Sequence, residues 1–432
     1  MTHVLLLAAL LVQQSTPAAA NAETIEAVAA AIEQRYVFPE TGTKIAAYIR
    51  DRASKGTYAA LTGGPLADAL TQDLRAENGD RHLYVQYQPG GGGAPVPGSP
   101  GGPVRMIPGS SPGQVEVYRR RNYFLNRAER LDGNIGYLEV RRFFGLSEDA
   151  LAAATAAMAF LENADACIID VRYAPGGDVR MVDTLASYFF DKVTPTLATY
   201  SRSRDETIQR STLETLPGKR RPDIPVYVLI SRDTGSAAED FAFLLQQTGR
   251  ATLVGDRTAG AGNTNAVLGL GGGYSLSVSI GRTFNPKTNQ GWEAIGVQPD
   301  VQAPAPDAVD AAHRLALTAL IEKMEKAGST ALRTELAWTR DALDARRKPP
   351  AVDAKALQDL AGQYGVRAIV FADGRLWYQR QEGAEKIPLT TLSATEFAMG
   401  DGQRLQFVRT GESRELRLLN ADGSHVAFPR AR

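Results

Sequence analysis

"IPVYVLISRDTGSAAEDFAFLLQQTG", residues 224–249, is an apolar run that turns sharply into a helical pattern. Val226–Ile230 is continuously apolar, as expected of a strand covered on both faces. The run ends at Gly235, and from Ser236 onward Ala237, Phe241, Leu244 and Leu245 recur at helical spacing. The corner admits two readings. Serine is a preferred helix N-cap, and that alone accounts for Ser236. Ser236 also stands at the positive end of a helix dipole, among free backbone N–H groups able to hold an oxyanion, which makes it a candidate nucleophile.

The same strand-to-helix alternation extends on both sides. "NIGYLEV" is followed by the helix "SEDALAAATAAMAFLENA", and "ACIIDVRY" by Pro-Gly-Gly and the helix "DVRMVDTLASYFF". "ATLVGD" is a short strand, "YSLSVSIG" alternates at period two, and "PDAVDAAHRLALTALIEKMEKAG" is a long amphipathic closing helix. This predicts an α/β core over 115–330 with a largely parallel, doubly covered sheet. Residues 23–88 read as a helical N-terminal domain, with Ile25, Val28, Ile32 and Tyr36 on one face and Leu66, Leu70 and Leu74 on another. Residues 89–114 are too rich in glycine and proline to build a core and read as a linker. After "RRKPPAVDA", residues 350–432 read as a small antiparallel β domain, with a hairpin signalled by Asp-Gly in "GVRAIVFADGRLWYQR".

The chain has 432 residues, with 48 lysines and arginines against 48 aspartates and glutamates. That balance offers no field for nucleic acid or an anionic membrane. The single cysteine, Cys167, excludes an intrachain disulfide and falls in a core-strand pattern, where a thiol is inert. Residues 1–22 carry a nine-residue apolar run, Val4–Val12, and end in Ala-Asn-Ala. This predicts a secretory signal peptide cut near Ala20 or Ala22, and therefore an exported protein, periplasmic or extracellular. The run is too short to span a bilayer, and no other segment approaches a membrane span. No metal cluster, phosphate loop or cofactor box is expected; "GLGGG" at 269–273 lacks the spacing of a nucleotide loop.

A second corner lies in "DVRYAPGGDVRM", where Gly176 and Gly177 open a helix after a core strand. Two glycines let backbone approach a ligand closely, although a plain turn needs them too. Both corners fall at the carboxyl ends of strands, where α/β folds bind ligands. Of four histidines, His3 lies in the leader, His313 in the long helix and His425 in the β tail. His82, in "NGDRHLYVQY", follows a helix end and starts a strand-like run, and it is the best placed to serve as the base that a serine hydroxyl needs.

The blocks "TGSAAEDF", "DVRYAPGGDV", "GDRHLYV", "GDRTAGAGN" and "GWEAIGVQPDV", in their order over roughly 23–305, resemble those of the tail-specific, or C-terminal-processing, peptidase family. The nearest branch is the one with tricorn core protease and interphotoreceptor retinoid-binding protein modules. The resemblance implies a ClpP/crotonase-like α/β core behind a helical N-terminal domain. It implies Ser236 as nucleophile, and an oxyanion hole from Gly176 or Gly177 with the N–H of Ala237. The processing branch carries a lysine base in the block that here reads "RTAGAG", with Ala261 in its place. The tricorn-like branch uses histidine assisted by glutamate, and His82 and Glu293 match those two. Two departures stand out: Arg81 replaces a serine before the histidine, and Ala174 replaces an asparagine in the glycine-rich block. There is no room for a PDZ module before "NIGYLEV".

The resemblance thus implies an exported serine peptidase acting on a peptide or protein substrate through Ser236, His82 and Glu293, without a cofactor. Two other readings share the fold: a binding protein for apolar ligands, and an esterase with the same triad. The oligomeric state is not legible.

Overall fold

The structure is a computed structural model that describes residues 17–89, 112–400, 402–411 and 413–431. Most of the expected leader, with His3, and nearly all of the expected linker lie outside the described residues. Contacts divide the chain into two compact units. One combines the N-terminal helices with Pro195–Arg210 and Gly260–Gly296; the other combines Pro112–Thr194, Ser211–Ala259 and Val297–Arg432.

In the first unit, helices Pro17–Arg35, Pro39–Ser54 and Gly63–Arg75 pack their apolar faces together. The second helix starts on a proline, whose missing N–H is harmless at that position. Val28, Ile32, Leu70 and Leu74 are fully buried, as their spacing predicts. After the helices, Tyr84–Tyr87 is a strand, within the run from His82 that reads as strand-like. It pairs antiparallel with Tyr274–Phe284, Tyr84 facing Ser277 and Tyr87 facing Tyr274. Tyr274–Phe284 is the long strand of this sheet and also pairs antiparallel with Asn263–Gly271 and Pro195–Ser201. Its period-two pattern turns Leu276 and Val278 into the cluster with Ile32, Leu70 and Leu83.

The second unit holds the parallel sheet. Strand order is Val301–Gln302, Thr252–Gly255, Val226–Ile230, Ala166–Asp170, Ile135–Val140 and Leu125–Leu131. Neighbouring strands run parallel except the last pair, where Leu125–Leu131 runs antiparallel at the edge. The three central strands are buried at every residue, which is why they read as largely apolar, with Glu139 and Asp170 the charged exceptions. Helix Ala308–Lys326 lays Ala308, Ala312, Ala316 and Leu317 on Ile135, Ile168 and Leu229. Ser147 caps helix Glu148–Phe160 by accepting from the Ala150 N–H, and Asp178 caps Val179–Ser187 by accepting from that of Arg180. Cys167 is buried in its strand, and burial pushes its thiol up to about 12, so it is protonated and inert at neutral pH.

The C-terminal residues of this unit form two antiparallel sheets around Tyr364, Leu376, Phe397, Leu405 and Leu416. Strands Arg367–Ala372 and Arg375–Gln379 are joined by Asp373 and Gly374, both at positive φ (53° and 75°), as a two-residue hairpin turn requires. The chain is therefore mixed α/β, with helices leading and antiparallel sheets ending it.

Candidate active site

Strand Val226–Ile230 delivers its carboxyl end to Thr234–Gly235–Ser236, and helix Ala237–Gln247 begins on the next residue. Three bonds pin the turn. The Thr234 hydroxyl donates to Val171 O at 2.9 Å, the Gly235 N–H to Ala174 O at 3.0 Å, and the Ala259 N–H to Thr234 O at 3.0 Å. Ser236 itself takes φ 50°, ψ −120°. A residue with a side chain avoids that region, at a cost of roughly 1–3 kcal/mol, and holds it only where the surroundings over-determine it. The determinant here is Glu239, which is fully buried and accepts the Ser236 N–H at 2.8 Å. Its other carboxylate oxygen accepts the Thr258 hydroxyl at 2.5 Å, and Thr258 in turn accepts the Val297 N–H at 2.7 Å. The "SAAE" spacing of a capping box carried this signal in the sequence. Ala237, first in the helix, has by position no intrahelical acceptor for its N–H.

The glycine corner belongs to the same unit. Gly176 sits at φ 117°, and a Cβ built there would lie 2.7 Å from Ser236 Cβ and 2.9 Å from Ala237 N. Gly177, at φ 146°, has no room for one either, because it would lie 1.8 Å from Phe143 O. Phe143 laces this corner, donating its N–H to Gly176 O at 3.0 Å and accepting that of Asp178 at 2.7 Å. The structure thus brings Gly176, Ser236 and Ala237 together. Nothing larger than glycine fits at Gly176 beside Ser236, and the Cβ position of Gly177 is filled by the Phe143 backbone.

The other candidates meet in the first unit. His82 is 9% exposed, in the loop between helix Gly63–Arg75 and strand Tyr84–Tyr87. Arg75 braces this loop through the carbonyls of Arg81 and Leu83. His82, Glu293 and Asp80 each present a ring nitrogen or carboxylate oxygen, all within 4.8 Å of one another. Glu293 is held by two backbone N–H groups, Gly262 and Asn263, each 2.7 Å from Oε2. A Cβ on Gly262 would lie 2.8 Å from the Glu293 backbone N, so that approach needs glycine. Asp80, not singled out from the sequence, is fully buried. Its Oδ1 accepts the His82 backbone N–H at 2.9 Å, and its Oδ2 accepts Tyr36 Oη and Asn263 Nδ2, both at 2.9 Å. With both oxygens so engaged, Asp80 serves a hydrogen-bond network better than it would serve a cation.

Burial holds the His82 imidazole below its ordinary range; Asp80 opposes this by favouring the charged ring, and the Arg75 guanidinium adds to it. Burial, with the Asp80 charge beside it, keeps the Tyr36 phenol far above its usual range, so Tyr36 is a constant donor. Ala261, standing where a lysine base was considered, is a buried small residue.

Residues 134–303 match the model of peptidase family S41, and residues 16–116 match the N-terminal domain of S41 peptidases in eukaryotic interphotoreceptor retinoid-binding protein. The chain belongs to peptidase family S41. Ser236, Gly176, Gly177 and Glu293 fall in the first match and His82 in the second. The chain is 30% identical over 169 residues to carboxyl-terminal-processing peptidase 3, chloroplastic, of Arabidopsis thaliana, covering 39% of this chain and 31% of that one. It is also 30% identical over 169 residues to the carboxyl-terminal-processing protease of a Synechocystis species, covering 39% and 37%. Among solved structures, the photosystem II D1 C-terminal processing protease superposes with a TM-score of 0.42 at 17% identity, covering 67% of this chain and 94% of that one. The chain spans about a third of the length of these two curated relatives.

Proposed function

We propose that this chain is a serine peptidase that hydrolyses peptide bonds with Ser236 as nucleophile, His82 as base and Glu293 as the carboxylate that orients the base. The observation that carries the reading is the backbone of Ser236. A plain N-cap takes extended backbone and has no need of φ 50°, ψ −120°. Such strain has a use when the hydroxyl must project from the corner toward a bound carbonyl. Gly176 beside it and the acceptor-free N–H of Ala237 supply the close backbone approach that an oxyanion requires.

In this reading His82 takes the Ser236 hydroxyl proton as Oγ bonds to the carbonyl carbon. The tetrahedral oxyanion rests on the N–H of Ala237 and one from the Gly176–Gly177 corner. His82 then gives the proton to the leaving amine, and water repeats the cycle on the acyl-enzyme. Glu293 fixes the ring and stabilises its transient charge. His82 is suited to the role because burial keeps it neutral, and a base has to be neutral before it acts. Export is part of the proposal, supported by the apolar run Val4–Val12 and the Ala-Asn-Ala that ends the leader.

Labelling with a fluorophosphonate probe and cleavage of a peptide library test the reading. Wild type should label at one serine and cleave peptides, and Ser236→Ala should do neither while melting as wild type. A Ser236→Ala variant that still labels or cleaves would refute it. Labelling and ester cleavage without peptide cleavage would make the protein an esterase, and no labelling at all would favour ligand binding.

A further inference from the structure

The cluster around His82 contains a second carboxylate, fully buried, that the triad does not use. Asp80 is bound by three donors: the His82 backbone two residues on, and Tyr36 and Asn263 from distant parts of the chain. Asn78 completes the arrangement, donating to Tyr36 Oη at 2.6 Å and accepting the Asp80 N–H at 3.2 Å. Asn263 is the node. Its side-chain amide reaches Asp80, 183 residues away in sequence, while its own backbone N–H holds Glu293 Oε2. One residue, 4% exposed, therefore ties the loop that carries His82 to the Glu293 carboxylate.

A buried carboxylate is costly unless hydrogen-bonded, so a network of this kind persists where its position matters. Asp80 lies close enough to His82 to favour the charged ring. The charged and titratable groups around the ring are Asp80, Glu293 and Arg75, with Tyr36 protonated throughout. As His82 accepts a proton, two carboxylates would face the positive charge, one of them fully buried.

We propose that Asp80 and Asn263 are positioning residues that brace His82 against Glu293, and that Asp80 acts as a second carboxylate toward the imidazolium. The inference rests on His82 being the base for Ser236. Removing the Asp80 charge takes away a group that raises the proton affinity of the ring. The acid limb of kcat/KM, which reports the free enzyme, then moves to lower pH while the plateau falls. Removing the Asn263 amide leaves the charge in place but loosens its anchor, so the plateau falls and the limb stays.

The experiment compares peptide cleavage and fluorophosphonate labelling against pH for wild type, Asp80→Asn, Asn263→Ala and the double variant, each checked by thermal melt. Asp80→Asn should lower kcat about 10- to 100-fold, the range for outer-shell partners of an active group, with KM nearly unchanged and the acid limb shifted down. Asn263→Ala should lower kcat with the limb unmoved. The double variant should lose little more than the worse single one, because both act through one brace. An Asp80→Asn enzyme with wild-type kcat and limb, or losses that multiply in the double variant, would overturn the proposal. If Asp80→Asn does not fold, Asn263→Ala and Tyr36→Phe, which removes one donor and keeps the charge, carry the test, and wild-type kcat in both would refute it. Failure of the underlying reading looks different: Ser236→Ala or His82→Ala would then keep activity. If those two lose activity while the Asp80 and Asn263 variants keep it, the brace alone is wrong.

Discussion

Replacing Gly176 by alanine tests the corner most directly. The added Cβ would meet Ser236 Cβ at 2.7 Å and Ala237 N and Gly235 O at 2.9 Å each. Two of these three atoms are backbone, which cannot rotate away as a side chain can. The residue would also have to hold φ 117°, which costs on the order of 1–3 kcal/mol for a residue with a side chain. Overpacking a tight site adds roughly 1–3 kcal/mol. The sum, about 2–6 kcal/mol, corresponds to a fall in Tm of at least about 4 °C in a domain of this size. Gly249→Ala in the same unit is the control: φ is +66° and nothing lies within 4 Å, so only the backbone penalty of about 1–2 kcal/mol remains. Relief of the overlap must push Ser236 and the Ala237 N–H away from the glycine corner, and loss of one oxyanion donor lowers turnover by about 10²- to 10³-fold. Differential scanning calorimetry and the fluorophosphonate labelling rate, measured on both variants, read the two effects separately. A Gly176→Ala protein that melts no lower than Gly249→Ala and labels at the wild-type rate would refute the reasoning.

The pH profile follows from the environment of His82. Burial lowers the proton affinity of the ring, so the neutral base should already be available below the ordinary histidine value of about 6.5, and the acid limb of kcat/KM should lie under it. A limb above that value would show that Asp80 and Glu293 outweigh burial. Glu293→Gln keeps an oxygen for the Gly262 and Asn263 N–H groups but removes the charge; kcat should fall about 10²-fold or more with KM much less changed, as steady-state kinetics would show. His82→Ala should cost at least as much, and near-wild-type kcat would send the search for a base to the lysines. Thr258→Val removes a buried hydroxyl that links Glu239 to the Val297 N–H and should destabilise the fold by about 1–3 kcal/mol in chemical denaturation. It should also slow labelling of Ser236, because Glu239 holds the strained backbone; unchanged labelling would show that Glu239 needs no second anchor.

Local pattern accounts for much of what was legible. Buried parallel strands such as Val226–Ile230 read as apolar runs, and helices such as Glu148–Phe160 announce themselves by a serine cap and helical spacing. Those rules act within about a dozen residues, so a single sequence carries them. Ser236, Gly176 and His82 were legible for the same reason: each stands at a strand or helix end, where free backbone groups and side chains collect. The strand Tyr84–Tyr87 was legible as the run that follows His82, but its partner Tyr274–Phe284 was not, because pairing across so long a separation leaves no local pattern.

The tertiary structure decided what depends on long-range partners. Tyr274–Phe284 follows an α/β pattern in chain order, yet it joins the N-terminal helices, because Leu276 and Val278 complete their apolar cluster. The strain at Ser236 cannot be read from a serine, since it arises from a glutamate that must be buried to impose it. Asp80 and Asn263 look like ordinary loop residues in sequence, and only folding brings them to 2.9 Å. A hydrogen bond across 183 residues has no period and no local propensity, so nothing short of the fold specifies it.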